Sequence, residues 1–172
     1  MSALPHAYTL SKQRIYDVLE LMPSHPQVDC ESAEYASCAF VLNRFRILFR
    51  SAKITPAKIG QFVTLWKRSS SGPIAPFESE DPFDLVVVCA ADKAHFGQFI
   101  FPKSALLQQG ILSDPQHAGK RAFRVYPPWD SPTSKQAQKT QAWQLPYFYD
   151  LSDEDSRAVH LDNIRKLFAF PL

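Results

Sequence analysis

The stretch DLVVVCA, residues 84–90, decides the fold of this chain. Its apolar side chains follow one another without alternation, which is typical of a central strand covered on both faces. The stretch QFIF, residues 98–101, is a second predicted strand. It leads into a short predicted helix, Lys103 to Gln109, which Gly110 is expected to end. Together the two stretches predict a sheet whose centre is fully buried.

Further strands are predicted around this pair. In RFRILFRSAK, residues 44–53, apolar side chains alternate with arginines, so one face of the strand should meet the core and the other should carry Arg50. The stretches QFVTLWKR, residues 61–68, and RAFRVY, residues 121–126, are also predicted strands. Residues 31–42 are ambiguous between a helix end and a strand.

Helices are predicted from spacing and capping signals. Apolar residues fall at i, i+3, i+4 and i+7 between Ser11 and Met22, which predicts an amphipathic helix. Thr55-Pro56 is predicted to begin a short helical turn, and residues 132–144 a longer helix. The pattern at 152–155 is a capping box for a C-terminal helix. These elements predict one α/β (α+β) domain, residues 1–172, with a mixed sheet of about five strands flanked by helices.

Composition is typical of a soluble globular protein, with 45% hydrophobic and 21% charged residues. The three cysteines form no CxxC pair and the histidines are isolated, which argues against a disulfide framework and a zinc site. The N-terminus lacks the basic start and apolar segment of a signal peptide, and no apolar run could cross a bilayer. We therefore expect a cytoplasmic protein that does not associate with membranes.

Charge is unevenly distributed although the net charge is only +2. No acidic residue occurs between Tyr35 and Phe77, a stretch with seven lysines and arginines, and six more basic residues lie between Pro102 and Pro146. Such segregation indicates one basic face that binds an anionic partner, although solvated strand faces also collect lysine and arginine.

Aromatic side chains are interleaved with this charge. On a helix at 132–144, Lys139 and Trp143 would share one stripe, so the indole could stack on a base beside a phosphate-binding lysine. Trp129 follows two prolines on a stiff loop. For both tryptophans the alternative is packing in the core. The predicted nucleic-acid-binding residues are Lys53, Lys58, Lys67, Lys120, Arg121, Arg124, Trp129, Lys139 and Trp143.

An imperfect nuclease pattern surrounds the central strand. Asp84 precedes it, and Gln98 and Lys103 follow on the next strand. Phosphodiester cleavage with Mg²⁺ or Mn²⁺ requires oxygen ligands and a lysine that stabilises developing charge. Asp84 and Gln98 are the predicted metal ligands, and Lys103 and Glu34 complete the predicted catalytic set. The pattern is incomplete, because Gln98 stands where an acid would serve best and Ile100 where the lysine belongs. The alternative for Asp84 is a turn or cap residue.

Five phrases between Tyr35 and Phe148 together resemble the MepB family of bacterial proteins. They are SAKITPAKIGQFVTLWKR (51–68), GPIAPF (72–77), GQFIFPKSALLQQGILS (97–113), GKRAFRVYPPWD (119–130) and KTQAWQLPYF (139–148). The resemblance implies a restriction-endonuclease-like core and a role with nucleic acid.

The functional prediction is a nucleic-acid-binding protein on a nuclease-like scaffold, either a metal-dependent phosphodiesterase or a non-catalytic regulatory module. A third hypothesis is a small-ligand-binding stress protein whose Trp66, Trp129 and Trp143 line an apolar pocket. The sequence predicts neither DNA over RNA nor an oligomeric state.

Overall fold

The computed structural model describes residues 2–169, so Met1 and residues 170–172 of the predicted domain lie outside it. The strands in this range are β1 (Gln27–Val28), β2 (Cys38–Leu42), β3 (Phe45–Ser51), β4 (Lys53–Thr55), β5 (Lys58–Thr64), β6 (Lys67–Arg68), β7 (Ile74–Ala75), β8 (Leu85–Ala91), β9 (Phe96–Pro102), β10 (Ala122–Val125) and β11 (Phe148–Asp150). The α-helices are α1 (His6–Ser11), α2 (Lys103–Gln108), α3 (Lys135–Gln144) and α4 (Glu154–Ala169). A π-helical turn spans Lys12–Tyr16, and 3₁₀ segments span Cys30–Tyr35 and Leu145–Tyr147.

The main sheet has six strands in the order β1-β2-β3-β8-β9-β11. β3 and β8 are parallel, and the other neighbouring strands are antiparallel. The predicted mixed α/β architecture is therefore confirmed. Three of the five predicted strands lie in this six-stranded sheet, as β3, β8 and β9, whereas the predicted strands at 61–68 and 121–126 contribute β5 and β10 to a second sheet. The short edge strands β1 and β11 carry no period-2 pattern long enough to be recognised in the sequence.

A second, antiparallel sheet has the order β10-β5-β4. The predicted helical turn at Thr55-Pro56 is wrong, because the chain reverses there and Thr55 pairs with Lys58 in a tight hairpin. Gly60 follows with φ +83°, a conformation that favours glycine. This hairpin extends the sheet at its β4 edge, and β10 occupies the other edge.

Two hydrophobic cores lie on opposite faces of the main sheet. One core lies between the main sheet and a helical layer made of α1, the π-helical turn and α4. It includes Phe40, Phe49 and Phe168. The other lies between the main sheet and the second sheet and includes Phe101 and Val125. Strand alternation divides β8 between the two, because Val87 and Cys89 face the helices while Val86 and Val88 face the second sheet.

The N-terminal helix differs from its prediction. It begins at His6 and widens into the π-helical turn Lys12–Tyr16, and the predicted stripe is broken beyond it. Leu19 is buried, whereas Val18 is 55% and Met22 88% exposed. The extra residue in a π turn shifts the side chains that follow, so spacing based on 3.6 residues per turn places them on the wrong face.

Arg50 also departs from its prediction. Its side chain is only 3% exposed, and Nη1 donates to the Phe49 carbonyl at 2.8 Å. Burial lowers the pKa of this guanidinium to about 10. The face of β3 that should have met solvent is covered, because β5 packs against both β3 and the 3₁₀ segment Cys30–Tyr35.

The remaining helices form where predicted, but their ends differ. The predicted capping box at 152–155 is wrong, because the Ser152 hydroxyl bonds the Phe96 backbone and Asp155 N donates to Asp153 Oδ1 at 3.4 Å. α2 is followed by Gly110 at φ +69°, and α4 buries Ile164 and Phe168. α3 begins three residues later than predicted, because the Ser134 hydroxyl caps it by accepting from Ala137 N at 3.1 Å. None of the helices described is both long enough and apolar enough to span a bilayer.

The close packing of β9 against β11 requires a glycine at position 97. A Cβ at this position would overlap the Phe148 ring and lie 2.7 Å from the Tyr149 carbonyl oxygen. We predict that Gly97→Ala lowers the free energy of unfolding by roughly 1–3 kcal/mol, the usual cost of overpacking. Urea denaturation measures this. Gly110→Asn is the control, because nothing would contact its Cβ and asparagine tolerates positive φ. An equal loss in both variants would contradict the packing argument.

Candidate nucleic-acid interface

Three adjoining depressions cross the outer side of the second sheet, and we call them the groove. The first, of about 330 Å³, lies between β10 and α3 and is lined by Lys120, Arg124, Tyr126 and Trp143. The second, of about 300 Å³, shares Arg124 and Tyr126 with the first and adds Lys58. The third, of about 370 Å³, shares Lys58 and is also lined by Trp129 and Asp130. The shared residues show that the three depressions adjoin one another.

Three glutamines of α3 position the loop that forms one wall of the groove. Gln138 Nε2 donates to the Pro132 carbonyl at 3.1 Å. Gln141 Nε2 donates to the carbonyls of Pro127 and Asp130 at 3.0 and 2.8 Å. These bonds satisfy carbonyls in a proline-rich loop that has few backbone N–H groups of its own.

Gln144 makes the third and most buried of these attachments. It is fully buried, its Oε1 accepts from Tyr126 N at 2.8 Å, and its Nε2 donates to the Arg124 carbonyl at 2.9 Å. The amide thus replaces a neighbouring strand at the outer edge of β10. Sequence reasoning missed these glutamines. Their spacing of three residues beside a proline-rich loop was the available signal.

Arg124 is held in place by its neighbours. Nη2 donates to Thr55 Oγ1 at 2.7 Å, Nη1 donates to the Gly60 carbonyl at 3.3 Å, and the guanidinium lies 5.8 Å from the centre of the Phe62 ring. Within residues 2–169 no carboxylate pairs with Arg124, Lys58 or Lys120. These three cations can therefore bind an anion without displacing an internal partner.

Other predicted basic contacts are already engaged. Lys53 Nζ lies 2.7 Å from Glu34 Oε2, and Lys67 Nζ lies 2.8 Å from Asp81 Oδ1 and 3.3 Å from Glu78 Oε2. Burial lowers the pKa of Lys67, but the hydrogen bonds to Asp81 and Glu78 raise it above its usual value overall. Neither lysine lines the groove. Arg121 and Lys139 are exposed but line none of the three depressions.

Both predicted tryptophans pack partly in the core and partly line the groove. The Trp129 ring stacks on His95 with centres 4.6 Å apart and planes at 9°, and Trp143 lies 5.3 Å from Phe101. They line different depressions, and Trp66 lies apart beneath Arg68. The three tryptophans of the small-ligand hypothesis therefore do not share a cavity among the depressions described above.

Two acidic side chains interrupt the positive charge at the Trp129 end of the groove. The His95 ring holds the pKa of the Asp92 carboxyl below its usual value, aided by backbone N–H groups of Ala94 and His95. Burial and the nearby Asp92 charge raise the pKa of Asp130. The strongest attraction for an anion is therefore expected from Lys58 towards Lys120.

The structure brings together only two of the four predicted catalytic residues. Asp84 and Lys103 meet at one end of the main sheet, where Lys103 N donates to the Asp84 carbonyl at 3.0 Å. Gln98 pairs with Cys89 and lies ~13 Å along β9 from that end, since it is four residues from Pro102. Glu34 lies on a 3₁₀ segment, where it pairs with Lys53.

The side chains of these residues have other partners. Gln98 is fully buried in the helical core, with Nε2 2.8 Å from Ser11 Oγ. Lys103 Nζ donates to the Asp81 carbonyl and lies 4.8 Å from the centre of the Phe83 ring. The residues predicted to bind Mg²⁺ or Mn²⁺ do not fit that role, because Asp84 and Gln98 do not converge. Over residues 2–169 no three His, Cys, Asp or Glu side chains form a group that could hold a metal ion.

Asp84 instead ties β3 to the start of β8. Its Oδ2 accepts from Arg46 N at 2.8 Å and from Arg46 Nε at 3.4 Å, and its own N donates to the Arg46 carbonyl. Burial raises the pKa of Asp84, but the hydrogen bonds from Arg46 and the charges of Arg46 and Lys103 lower it below its usual value overall. This geometry corresponds to the turn-or-cap alternative for Asp84.

Asp84→Asn tests this structural role. Its lowered pKa means that the ionised carboxylate stabilises the fold at pH values above the ordinary 3.8, and that this stability is lost as the pH falls through the lower folded value. We predict a loss of roughly 1 kcal/mol in unfolding free energy near neutral pH, shrinking at acidic pH. Urea titrations at several pH values measure it. Glu80→Gln, at an exposed carboxylate, is the control, and a pH-independent difference would contradict the prediction.

Gln144→Leu tests the attachment of α3 to β10. The leucine would leave Tyr126 N and the Arg124 carbonyl without their partners, so we expect a loss of roughly 2–4 kcal/mol. Gln136→Leu makes the same change at an exposed position of α3 and should cost under about 0.5 kcal/mol. Thermal and urea unfolding compare them. Similar stability of the two variants would show that the buried amide does not hold the helix.

The fold is thus a mixed α/β domain with helices on one face of its main sheet and a second sheet with a basic groove on the other. A family model described as MepB-like matches residues 29–150. A crystal structure of MepB is 31% identical, with a TM-score of 0.76 over 87% of this chain and 99% of that chain. A comparison with curated proteins finds no match. The chain belongs to the MepB-like family, which confirms the resemblance seen in the sequence.

Proposed function

We propose that this protein binds nucleic acid along the groove, with backbone phosphates contacting Lys58, Arg124 and Lys120. The observation that carries the proposal is that these three cations line adjoining depressions and have no carboxylate partner within residues 2–169. A linear polyanion matches this arrangement, because its charges are spaced along a path.

Electrostatics favour such a partner over a neutral one. Each lysine or arginine that contacts a phosphate releases condensed counterions, and this release supplies much of the affinity. The guanidinium of Arg124 is fixed by Thr55 and Gly60, so little rotamer freedom is lost when it binds a phosphate. Arg121 and Lys139 are exposed, and each is next in sequence to a residue that lines the groove, so their charges add to the positive potential of this part of the chain.

Aromatic groups along the same path support a nucleic-acid partner over a generic polyanion. Tyr126 and Trp143 line the first depression and Trp129 the third, and each ring is only partly buried. Bases and sugars can contact these rings while phosphates contact the cations. The proposal includes no cleavage step, because Asp84, Gln98 and Lys103 do not assemble a site beside the groove.

Fluorescence anisotropy with labelled single-stranded and duplex DNA and RNA tests the proposal. Lys58→Gln and Lys120→Gln should each weaken binding and reduce the slope of log affinity against log salt by about 1. The control is Lys166→Gln on α4. The Lys166 ammonium already lies 3.0 Å from Asp162, and Lys166 is remote in sequence from the residues that line the groove.

Two results would contradict nucleic-acid binding along the groove. One is binding that is absent, or that does not weaken as salt is raised. The other is an equal loss in Lys166→Gln and the groove variants, which would indicate a general charge effect and not a defined path.

A further inference from the structure

A larger depression, of about 680 Å³, lies outside the groove at the end of the main sheet, and we call it the end cavity. It is bounded by α1 and the π-helical turn, by the turn between β8 and β9, and by α4 with the residues that precede it. Its volume is within the range of small-molecule sites, about 300–1,000 Å³. None of the predicted nucleic-acid-binding residues lines it.

Three cations from separate elements line the end cavity. Arg14 belongs to the π-helical turn, Lys93 to the β8–β9 turn and Arg157 to α4. Across the described part of the chain, none of the three forms an ion pair with a carboxylate. These three positive charges come from distant parts of the sequence and line one cavity, so an anion could bind there without displacing an internal partner.

The one carboxylate that lines the cavity is already engaged. Asp92 Oδ1 accepts from Ala94 N and His95 N, both at 2.8 Å, and lies 2.9 Å from His95 Nδ1. It holds the β8–β9 turn together and leaves the three cations without a partner. The wall therefore has a positive balance.

Each of the two arginines makes one contact that restrains its guanidinium group. The Arg14 guanidinium lies 5.0 Å from the centre of the Phe96 ring, and Arg157 Nε donates to the Leu151 carbonyl at 3.3 Å. Such contacts orient a guanidinium before a ligand arrives, and its remaining N–H groups suit the two-pronged recognition of a phosphate. The π-helical turn that carries Arg14 is itself a local irregularity that is frequent at functional sites.

The rest of the wall is mixed. Leu10, Leu161 and the 55% exposed Val18 contribute apolar surface, and Gln13 and Ser152 contribute neutral polar groups. An occupant of this cavity therefore needs a compact group with about two negative charges and a less polar body of modest size. A phosphate monoester, with a charge of about −1.5 to −2, meets the first requirement.

We infer that the end cavity binds the phosphate monoester of a ligand about the size of a mononucleotide, through Arg14, Lys93 and Arg157. The monoester can belong to a free nucleotide or to the 5′ end of a strand, because the end cavity adjoins the groove at Asp92. Only the second source depends on the proposed nucleic-acid binding.

Calorimetric titration with adenosine 5′-monophosphate tests the inference. We expect saturable binding, with adenosine binding at least roughly tenfold more weakly because it lacks the charged group. Lys93→Gln and Arg157→Gln should each lower the affinity roughly tenfold. Lys93 suits this test because it is exposed in a turn, so its removal should leave the fold intact. Lys166→Gln, at a residue that lines neither the end cavity nor the groove, is the matched control and should bind the nucleotide as the unaltered protein does.

Oligonucleotides with a 5′-phosphate or a 5′-hydroxyl distinguish the two sources. A gain in affinity from the 5′-phosphate that disappears in Lys93→Gln identifies the strand end as the ligand. Nucleotide binding without such a gain identifies a free small molecule. The inference is overturned if adenosine 5′-monophosphate does not bind, binds no better than adenosine, or binds the Lys93→Gln and Arg157→Gln variants as tightly as it binds the unaltered protein. Failure of the groove variants to affect strand binding would leave the nucleotide result unchanged.

Discussion

The constraint on which the rest of this structure depends is that the β8–β9 hairpin is buried on both faces. Every side chain from Leu85 to Ala90 and from Phe96 to Phe101 is buried. A sheet with an apolar centre of this kind needs a covering layer on each side. The helices α1 and α4 cover one face, and the second sheet covers the other. The helical layer and the second sheet therefore have the same role, since each buries one face of the β8–β9 hairpin.

The groove and the end cavity both follow from this layering. The second sheet packs on the main sheet, and α3 lies along the edge of β10, where Gln144 bonds the backbone of Arg124 and Tyr126; the first depression of the groove forms between them. The end cavity forms where the helical layer and the β8–β9 turn meet without filling the space. Glutamines of α3 satisfy the carbonyls of the loop between β10 and α3, so that this wall keeps its shape.

Much of the fold could be predicted from the sequence because its strongest patterns are local. The apolar run at 85–90 depends only on neighbouring residues, and the structure confirms it as β8. The predicted C-terminal helix also forms, but its predicted cap residue Ser152 bonds Phe96 instead. The exceptions have physical causes. The stripe between Ser11 and Met22 was disrupted by one π turn, and Arg50 was covered by a layer that alternation along its own strand cannot reveal.

Some of the basic residues predicted from the sequence line the same groove, but which of them do so depends on the fold. Lys58, Lys120 and Arg124 line the groove as basic residues should, whereas Lys67 is held by Asp81, whose position relative to it depends on the fold. Asp84 and Gln98 are fourteen residues apart in the sequence. The Gln98 side chain points into the helical core, whereas the Asp84 side chain binds Arg46 at the end of the sheet. The sequence could not predict that Arg14, Lys93 and Arg157 line one cavity, because these residues are far apart in the chain.

The sequence by itself determined the mixed α/β architecture, the family and the presence of a basic surface. These depend on composition, periodicity and local phrases that every residue carries with it. Only the tertiary structure decided which charges remain without a partner, which polar side chains are buried and which residues share a cavity. Pairing and burial depend on distances between segments remote in the chain, and electrostatic interactions change steeply with those distances.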